Sequence, residues 1–184
     1  MKLTLETERL ILRPFREDDA EDMFNGWTSD DEVTKYITWN THENIDTTKY
    51  ILNLWISEYE KPERLNFSIE LKDGNKLIGG IDVVGYDKGV PVIGYNLSRK
   101  YWNHGYMTEA CKCLLEYLFS KGFEEVKIDA VVENVGSNRV IQKCGGVLVK
   151  TEEEFFPLRN KAYIVNRYIV KCGNMYLKNF FLYT

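Results

Sequence analysis

The stretch from Val92 to Gly122, VIGYNLSRKYWNHGYMTEACKCLLEYLFSKG, constrains the fold most, because it joins an alternating strand to a long helix through a short polar turn. From Met107 the apolar residues fall at helical spacing: Met107, Cys111, Leu114 and Leu118 form one stripe, with Ala110 and Leu115 beside it and Gly122 placed as the stop. If the helix is a right-handed crossover, the next strand must run parallel to the one before it. Val126, Ile128, Ala130 and Val132 alternate and supply that strand. The first turn of such a helix leaves amide N–H groups without intrahelical partners, and the helix dipole adds partial positive charge there. The run Trp102, Asn103, His104, Gly105, Tyr106, Met107, Thr108 is therefore a natural seat for a phosphate, with Gly105 allowing close backbone approach.

The remaining segments build around that junction. Arg9 to Pro14 alternates as a first strand, and Ala20, Met23, Phe24 and Trp27 follow at helical spacing. A short helical piece is expected around Asp30 to Tyr36. Thr41 is expected to cap a helix from about His42 to Tyr59, with Ile51, Leu54, Trp55 and Tyr59 inward. Leu65, Phe67, Ile69 and Leu71 alternate, Asp73-Gly74-Asn75 makes a hairpin turn, Leu77 to Val84 returns, and Val90 to Ser98 completes a meander. A helix from about Gly136 to Cys144 and strands near Val147 to Phe156 and Ala162 to Cys172 close the order. The expected class is α/β (α+β), one domain with a mixed, mostly antiparallel central sheet flanked by helices.

Composition excludes several roles. A net charge of -4 argues against a nucleic-acid surface. No apolar run reaches membrane-spanning length, and the polar opening MKLTLETE is unlike a signal peptide, so a cytoplasmic protein is expected. The four cysteines contain no Cys-x-x-Cys, and only His42 and His104 could join them, so no metal site is expected.

The Trp102 to Met107 wording resembles motif A of the GNAT superfamily of acyl-CoA N-acetyltransferases, whose pyrophosphate loop runs Arg or Gln, two residues, Gly, one residue, Gly or Ala. Its YW..GYMTEA form is similar to the branch that includes the ribosomal-protein (Rim-type) N-terminal acetyltransferases. The resemblance spans roughly Leu5 to Val170. It implies an acyl-CoA N-acyltransferase-like fold over residues 1–172, acetyl-CoA as cosubstrate and a primary amine as acceptor, with no nucleic acid or membrane partner. A second segment, Asn134-Val-Gly-Ser137-Asn138 followed by Lys143-Cys-Gly145, resembles the family's Asn-x-x-Ser segment at the thioester end.

Acetyl transfer to an amine asks for a pyrophosphate cradle, a donor to the oxyanion, a proton route and a means of releasing thiolate. The resemblance implies the cradle at Trp102 to Thr108, the pantetheine arm beside the strand holding Tyr95, Asn96, Leu97 and Ser98, and further cofactor contacts from Asn134, Ser137, Asn138 and Lys143. Many members carry a Tyr acid where this chain has Ile141. The acid role passes to Ser137, with Asn134 orienting the reactants. Glu133 is the first choice of base, with Asp82 behind it, and Trp39 is the candidate wall of the acceptor pocket. A protein N-terminal α-amine is one acceptor class and a polyamine, amino sugar or aminoglycoside is another. A CoA-binding regulator without turnover is a third reading. Beyond Cys172 the run GNMYLKNFFLYT, residues 173–184, is an apolar extension expected to be covered on its own subunit or in a homodimer.

Overall fold

The computed structural model describes residues 3–61 and 64–174. The alternating segments form strands β1 (Leu5–Glu6), β2 (Leu10–Arg13), β3 (Asn66–Leu71), β4 (Lys76–Asp87), β5 (Val90–Leu97), β6 (Glu125–Val131), β7 (Val147–Phe156) and β8 (Lys161–Lys171). They make one eight-stranded sheet in the order β1-β2-β3-β4-β5-β6-β8-β7. Every pairing is antiparallel except β5 with β6, which the crossover helix makes parallel. The helices are α1 (Ala20–Met23), α2 (Asp31–Thr34), α3 (Ile45–Ser57), α4 (Tyr106–Ser120) and α5 (Val135–Lys143).

Helix α4 presents the expected stripe. Met107, Ala110, Cys111, Leu114, Leu115 and Leu118 are buried against Ile81, Ile93, Val126 and Ile128 of the sheet, with Ile141 of α5 in the same core. Each fully buried leucine stabilises by about 1.5–3 kcal/mol. Gly122 takes φ 92°, the left-handed conformation that follows a helix end, and its amide bonds the Phe119 carbonyl at 3.0 Å. The opposite face of the sheet is covered by a second core of Phe15, Ala20, Met23, Trp27, Leu52 and Leu77, onto which Trp39 and Trp55 pack. Where both faces are covered, polar strand positions such as Asn66 and Ser68 are buried in protein.

Three expectations in this region need correction. Helix α3 starts at Ile45, capped by Asn44, whose Oδ1 accepts from the Thr47 amide at 3.1 Å. Thr41 is drawn away from capping: its Oγ1 lies 2.6 Å from Thr34 Oγ1 and donates to Asp31 Oδ1 at 2.6 Å. The buried residues of α3 are Thr48 and Leu52, while Leu54 is exposed. Thr48 is drawn inward because its hydroxyl meets Thr28 Oγ1 at 2.9 Å and His42 Nδ1 at 2.8 Å. The helix after Pro14 is also less regular than its spacing suggests, passing from a 3-10 turn through α1 into a π turn at Phe24–Thr28.

Near β2 the sheet holds a buried ion cluster. Arg13 donates to Asp19 Oδ1 and Oδ2 at 2.8 Å each and to Glu70 Oε2 at 2.6 Å. Burial alone would lower the Arg13 pKa, but the bonds from Asp19 and Glu70 outweigh it and raise it. Of the expected apolar extension, residues 173–184, Gly173 and Asn174 belong to a 3-10 turn, Cys172–Asn174, and the remainder lies outside the described residues.

Candidate active site

At the turn between β5 and α4 the backbone adopts left-handed conformations twice, φ 65° at Asn103 and φ 82° at Gly105. Gly105 is the N-cap, and the first helical amide to find a backbone acceptor is that of Glu109, on the Gly105 carbonyl at 3.0 Å. Among the described residues the amides of Tyr106, Met107 and Thr108 have no backbone acceptor, which makes the turn a ready anion cradle. The turn is braced from both sides. Trp102 Nε1 donates to the Leu97 carbonyl at 2.7 Å. Arg9 donates to the His104 carbonyl at 3.1 Å, lies 4.4 Å from the Tyr106 ring centre and pairs with Glu109 at 2.6 Å. Burial works against the Glu109 charge, but the Thr7 hydroxyl and Arg9 hold its pKa below the usual carboxylate range. Leu97, Ser98 and Met107 are buried, and Lys143 is exposed at the end of α5.

Strands β5 and β6 pair only through Val92 with Lys127 and Ile93 with Ile128. Beyond that point β5 continues along β4 to Leu97, and β6 continues along β8 to Val131. The two strands part, leaving the β6-facing edge of β5 from Gly94 to Leu97 without a ladder partner. A cleft of about 380 Å³ opens at the split, lined by groups from both faces of the sheet, among them Trp39, Asp82, Tyr95, Asn96, Asn134 and Ser137. A second hollow of about 440 Å³ lies along α3, but its charged groups Glu58, Lys61 and Arg64 pair with one another.

On the α5 side Ser137 Oγ lies 2.9 Å from the Tyr95 hydroxyl. Asn134 is the N-cap of α5, its Oδ1 accepting from the Ser137 amide at 3.1 Å, which fixes Ser137 at the start of the helix. The Asn138 side chain, expected beside a cofactor, is spent on structure. It donates to the Val131 and Asn134 carbonyls at 2.9 and 2.8 Å and accepts from Asn166 and Tyr168 at 2.9 and 2.7 Å. Behind this layer Cys111 and Cys144 are buried thiols, and the bond to Cys144 together with burial holds the Cys111 pKa well above its ordinary value.

On the opposite side of the split the carboxylates sort by position. Glu133 is exposed after β6 and does not line the cleft. Asp82 does, facing Asn66 on β3 and Gly94 on β5 in register. Its surface is partly open to the cleft, yet enough protein surrounds it that burial pushes its carboxyl up to about 7, against a smaller opposing pull from Arg64. Gly94, opposite Asp82, has no room for a side chain: a Cβ there would stand 2.6 Å from Val84 Cγ1 and 3.5 Å from Asp82 Oδ1. Across the gap Asp129 is raised by burial but pairs with Arg167 at 2.7 Å, and Arg167 also holds Glu152 and Glu154. Among the described residues Asp82 is thus the cleft carboxylate without an ion pair. Trp39 lines the same space, 5.2 Å from the His42 ring.

The sequence agrees with a family profile described as an acetyltransferase (GNAT) domain over residues 9–147. The chain belongs to the GNAT acetyltransferase family. It is 31% identical over 144 residues to a protein named uncharacterized N-acetyltransferase YoaA from Bacillus subtilis (strain 168), covering 77% of this chain and 81% of that one. The crystal structure of a GNAT-family acetyltransferase from Bacillus anthracis superposes with a TM-score of 0.80 at 27% identity, covering 92% of this chain and 98% of the other. RimL, the ribosomal L7/L12 α-N-protein acetyltransferase, solved in complex with coenzyme A, shares the fold at a TM-score of 0.80 and 16% identity, covering 92% of this chain and 98% of RimL.

Within this GNAT fold, one residue and one contact escaped the sequence reading. Tyr95 is expected on the strand beside the pantetheine arm, but only the tertiary contact brings its hydroxyl to Ser137. Asn66 sits out of phase with Leu65 and Phe67 and reads as solvent-facing, whereas it is buried in the cleft. Its one visible signal is an amide in a strand whose second face also needs covering. Among the described residues no three His, Cys, Asp or Glu side chains converge as a metal site requires, and no helix is long and apolar enough to cross a membrane.

Proposed function

We propose that this chain transfers the acetyl group of acetyl-CoA to a primary amine by direct attack in the cleft. The Trp102 to Thr108 turn receives the pyrophosphate, as its unpartnered amides and left-handed Gly105 favour. The bound ammonium first gives a proton to Asp82; the neutral nitrogen then bonds to the thioester carbonyl carbon, the carbon–sulfur bond breaks, and the second nitrogen proton leaves to water. The departing sulfur takes a proton from the Ser137–Tyr95 hydroxyl pair. Asp82 carries the reading, because a carboxylate held near 7 in a cleft is matched to accepting a proton at neutral pH. The need is real: a lysine-like amine costs about 4.6 kcal/mol to present neutral at pH 7, an α-amine only about 1.4.

The proposed acceptor is a protein N-terminal α-amine, in keeping with the fold shared with RimL. Free-thiol release in the presence of acetyl-CoA and a panel of peptides, polyamines, amino sugars and aminoglycosides tests both steps. Turnover with at least one amine is expected. Tight acetyl-CoA binding without thiol release across the panel would instead make this a CoA-binding regulator.

A further inference from the structure

Asn66, Asp82, Gly94 and the neighbouring pair Gly80 and Asn96 form one patch on the cleft side of the sheet. Asn66 faces Asp82, Asp82 faces Gly94, and Gly80 faces Asn96 in the strand register. The two glycines add no side chain between the polar groups, and Phe15 packs over Gly80, its Cζ 3.1 Å from where a Gly80 Cβ would be. Asn66 is only 3% exposed, and among the described residues its Nδ2 has no hydrogen-bond partner; the buried Oδ1 of Asn96 has none either. Both residues line the cleft. The Asn66 backbone is held in place, its carbonyl accepting from the Tyr59 hydroxyl at 2.8 Å, while that hydroxyl accepts from the Phe15 amide at 2.8 Å. Ser68, next on the same face, is already committed to the Arg13 carbonyl at 3.0 Å.

We infer that Asn66 and Asn96, flanking Asp82 on the cleft floor, form a subsite for an oxygen carried on the carbon next to the amine-bearing carbon, so that the acceptors are N–C–C–O amines rather than plain alkyl amines or diamines. This rests on the acetyl-transfer reading above. The acceptor nitrogen donates to Asp82 and to Asn96 Oδ1, and the neighbouring oxygen accepts from Asn66 Nδ2. As the two side chains are set, Asn66 supplies the donor and Asn96 the acceptor, and a half-turn of both amides together would exchange these roles. An alkyl amine would put a methylene against the Asn66 donor and leave that buried group unpaired. Such a loss is felt as roughly tenfold or more in specificity.

The test compares glycinamide, ethanolamine and n-propylamine as acceptors by thiol release at one pH, each rate referred to the concentration of free amine. For the native protein kcat/KM for glycinamide should exceed that for n-propylamine by at least about tenfold. In Asn66→Leu, checked for folding by circular dichroism, that ratio should collapse towards one. Ethanolamine grouping with glycinamide assigns the subsite to any such oxygen, and ethanolamine grouping with n-propylamine assigns it to an acyl oxygen. A native ratio near one overturns the proposal even if the variant fails to fold. A folded Asn66→Leu that keeps the full preference overturns it too. Acetyl-CoA binding without thiol release from any of the three amines, or from the wider panel, overturns the parent reading along with it, whereas turnover without preference leaves the parent reading standing.

Discussion

The Tyr95 hydroxyl lies 2.9 Å from Ser137 Oγ, so β5 and α5, 42 residues apart in sequence, meet through a hydroxyl pair where the sheet splits. Burial, with the nearby Cys111, holds the Tyr95 pKa well above its ordinary value, so the phenol keeps its proton across the working pH range and can serve as a donor.

Tyr95→Phe and Ser137→Ala should each lower kcat, and the double variant should lose little more than the worse single one, because both act on one proton. Expelling a coenzyme A thiolate, taken as cysteine-like, costs roughly 2 kcal/mol at pH 7, so each loss is at most about thirtyfold and shrinks above about pH 8.5. Steady-state kcat across that range checks this. A loss independent of pH would assign the pair to packing.

Gly105→Val should abolish tight acetyl-CoA binding. It forces a β-branched residue into φ 82° at the helix start and places side-chain bulk where a phosphate would approach the amides. Titration calorimetry on the folded variant reads the loss. Unchanged affinity would move the cofactor elsewhere.

Asn138→Ala should leave acetyl-CoA affinity nearly intact but cost about 2–4 kcal/mol of stability, because it strands the Asn166, Tyr168 and Val131 groups that the amide satisfies. For a domain of this size that is roughly 5–15 °C in Tm, readable by differential scanning calorimetry.

The crossover from Val92 to Gly122 was legible because a period of two gives way to a period of 3.6 within a few residues, with glycines marking both helix ends. The same alternation marked every strand but the two-residue β1, whereas the placing of β8 between β6 and β7 is set by tertiary pairing. The start of α3 was misread because Thr41 and Asn44 are both good caps, and only the contacts of Thr41 with Thr34 and Asp31 decide between them. The proposed preference for Asp82 over Glu133 as the base likewise rests on tertiary structure. What separates them is burial and the register of Asn66, Asp82 and Gly94 across three strands, and neither property is written in local sequence. Asn138 looked like a ligand because an Asn near a helix start suits either role. Its four partners come from β6, β8 and α5 itself.

Asp82 also sets a trade between stability and activity. Its carboxyl is raised to about 7 in the fold, so between the unfolded value near 4 and pH 7 the native state holds a proton that the unfolded chain has lost. Stability from this group is therefore full at low pH and declines as pH rises to about 7. Asp82→Asn removes the penalty. The variant should gain about 1–4 kcal/mol relative to the native protein at pH 8 and little at pH 4, measured as paired denaturant unfolding curves.

The most direct test of the mechanism is the pH dependence of kcat/KM for an alkyl amine of high pKa, in the native protein and in Asp82→Asn, at saturating acetyl-CoA. In the native protein kcat/KM should rise with pH and level off near pH 7, where Asp82 becomes free to take the proton of the bound ammonium. In Asp82→Asn it should be lower by about a hundredfold and keep rising towards the amine's own pKa, while acetyl-CoA affinity is unchanged. A native profile that climbs through pH 7 without a break, or an Asp82→Asn variant that matches it in rate and shape, would contradict Asp82 as the base.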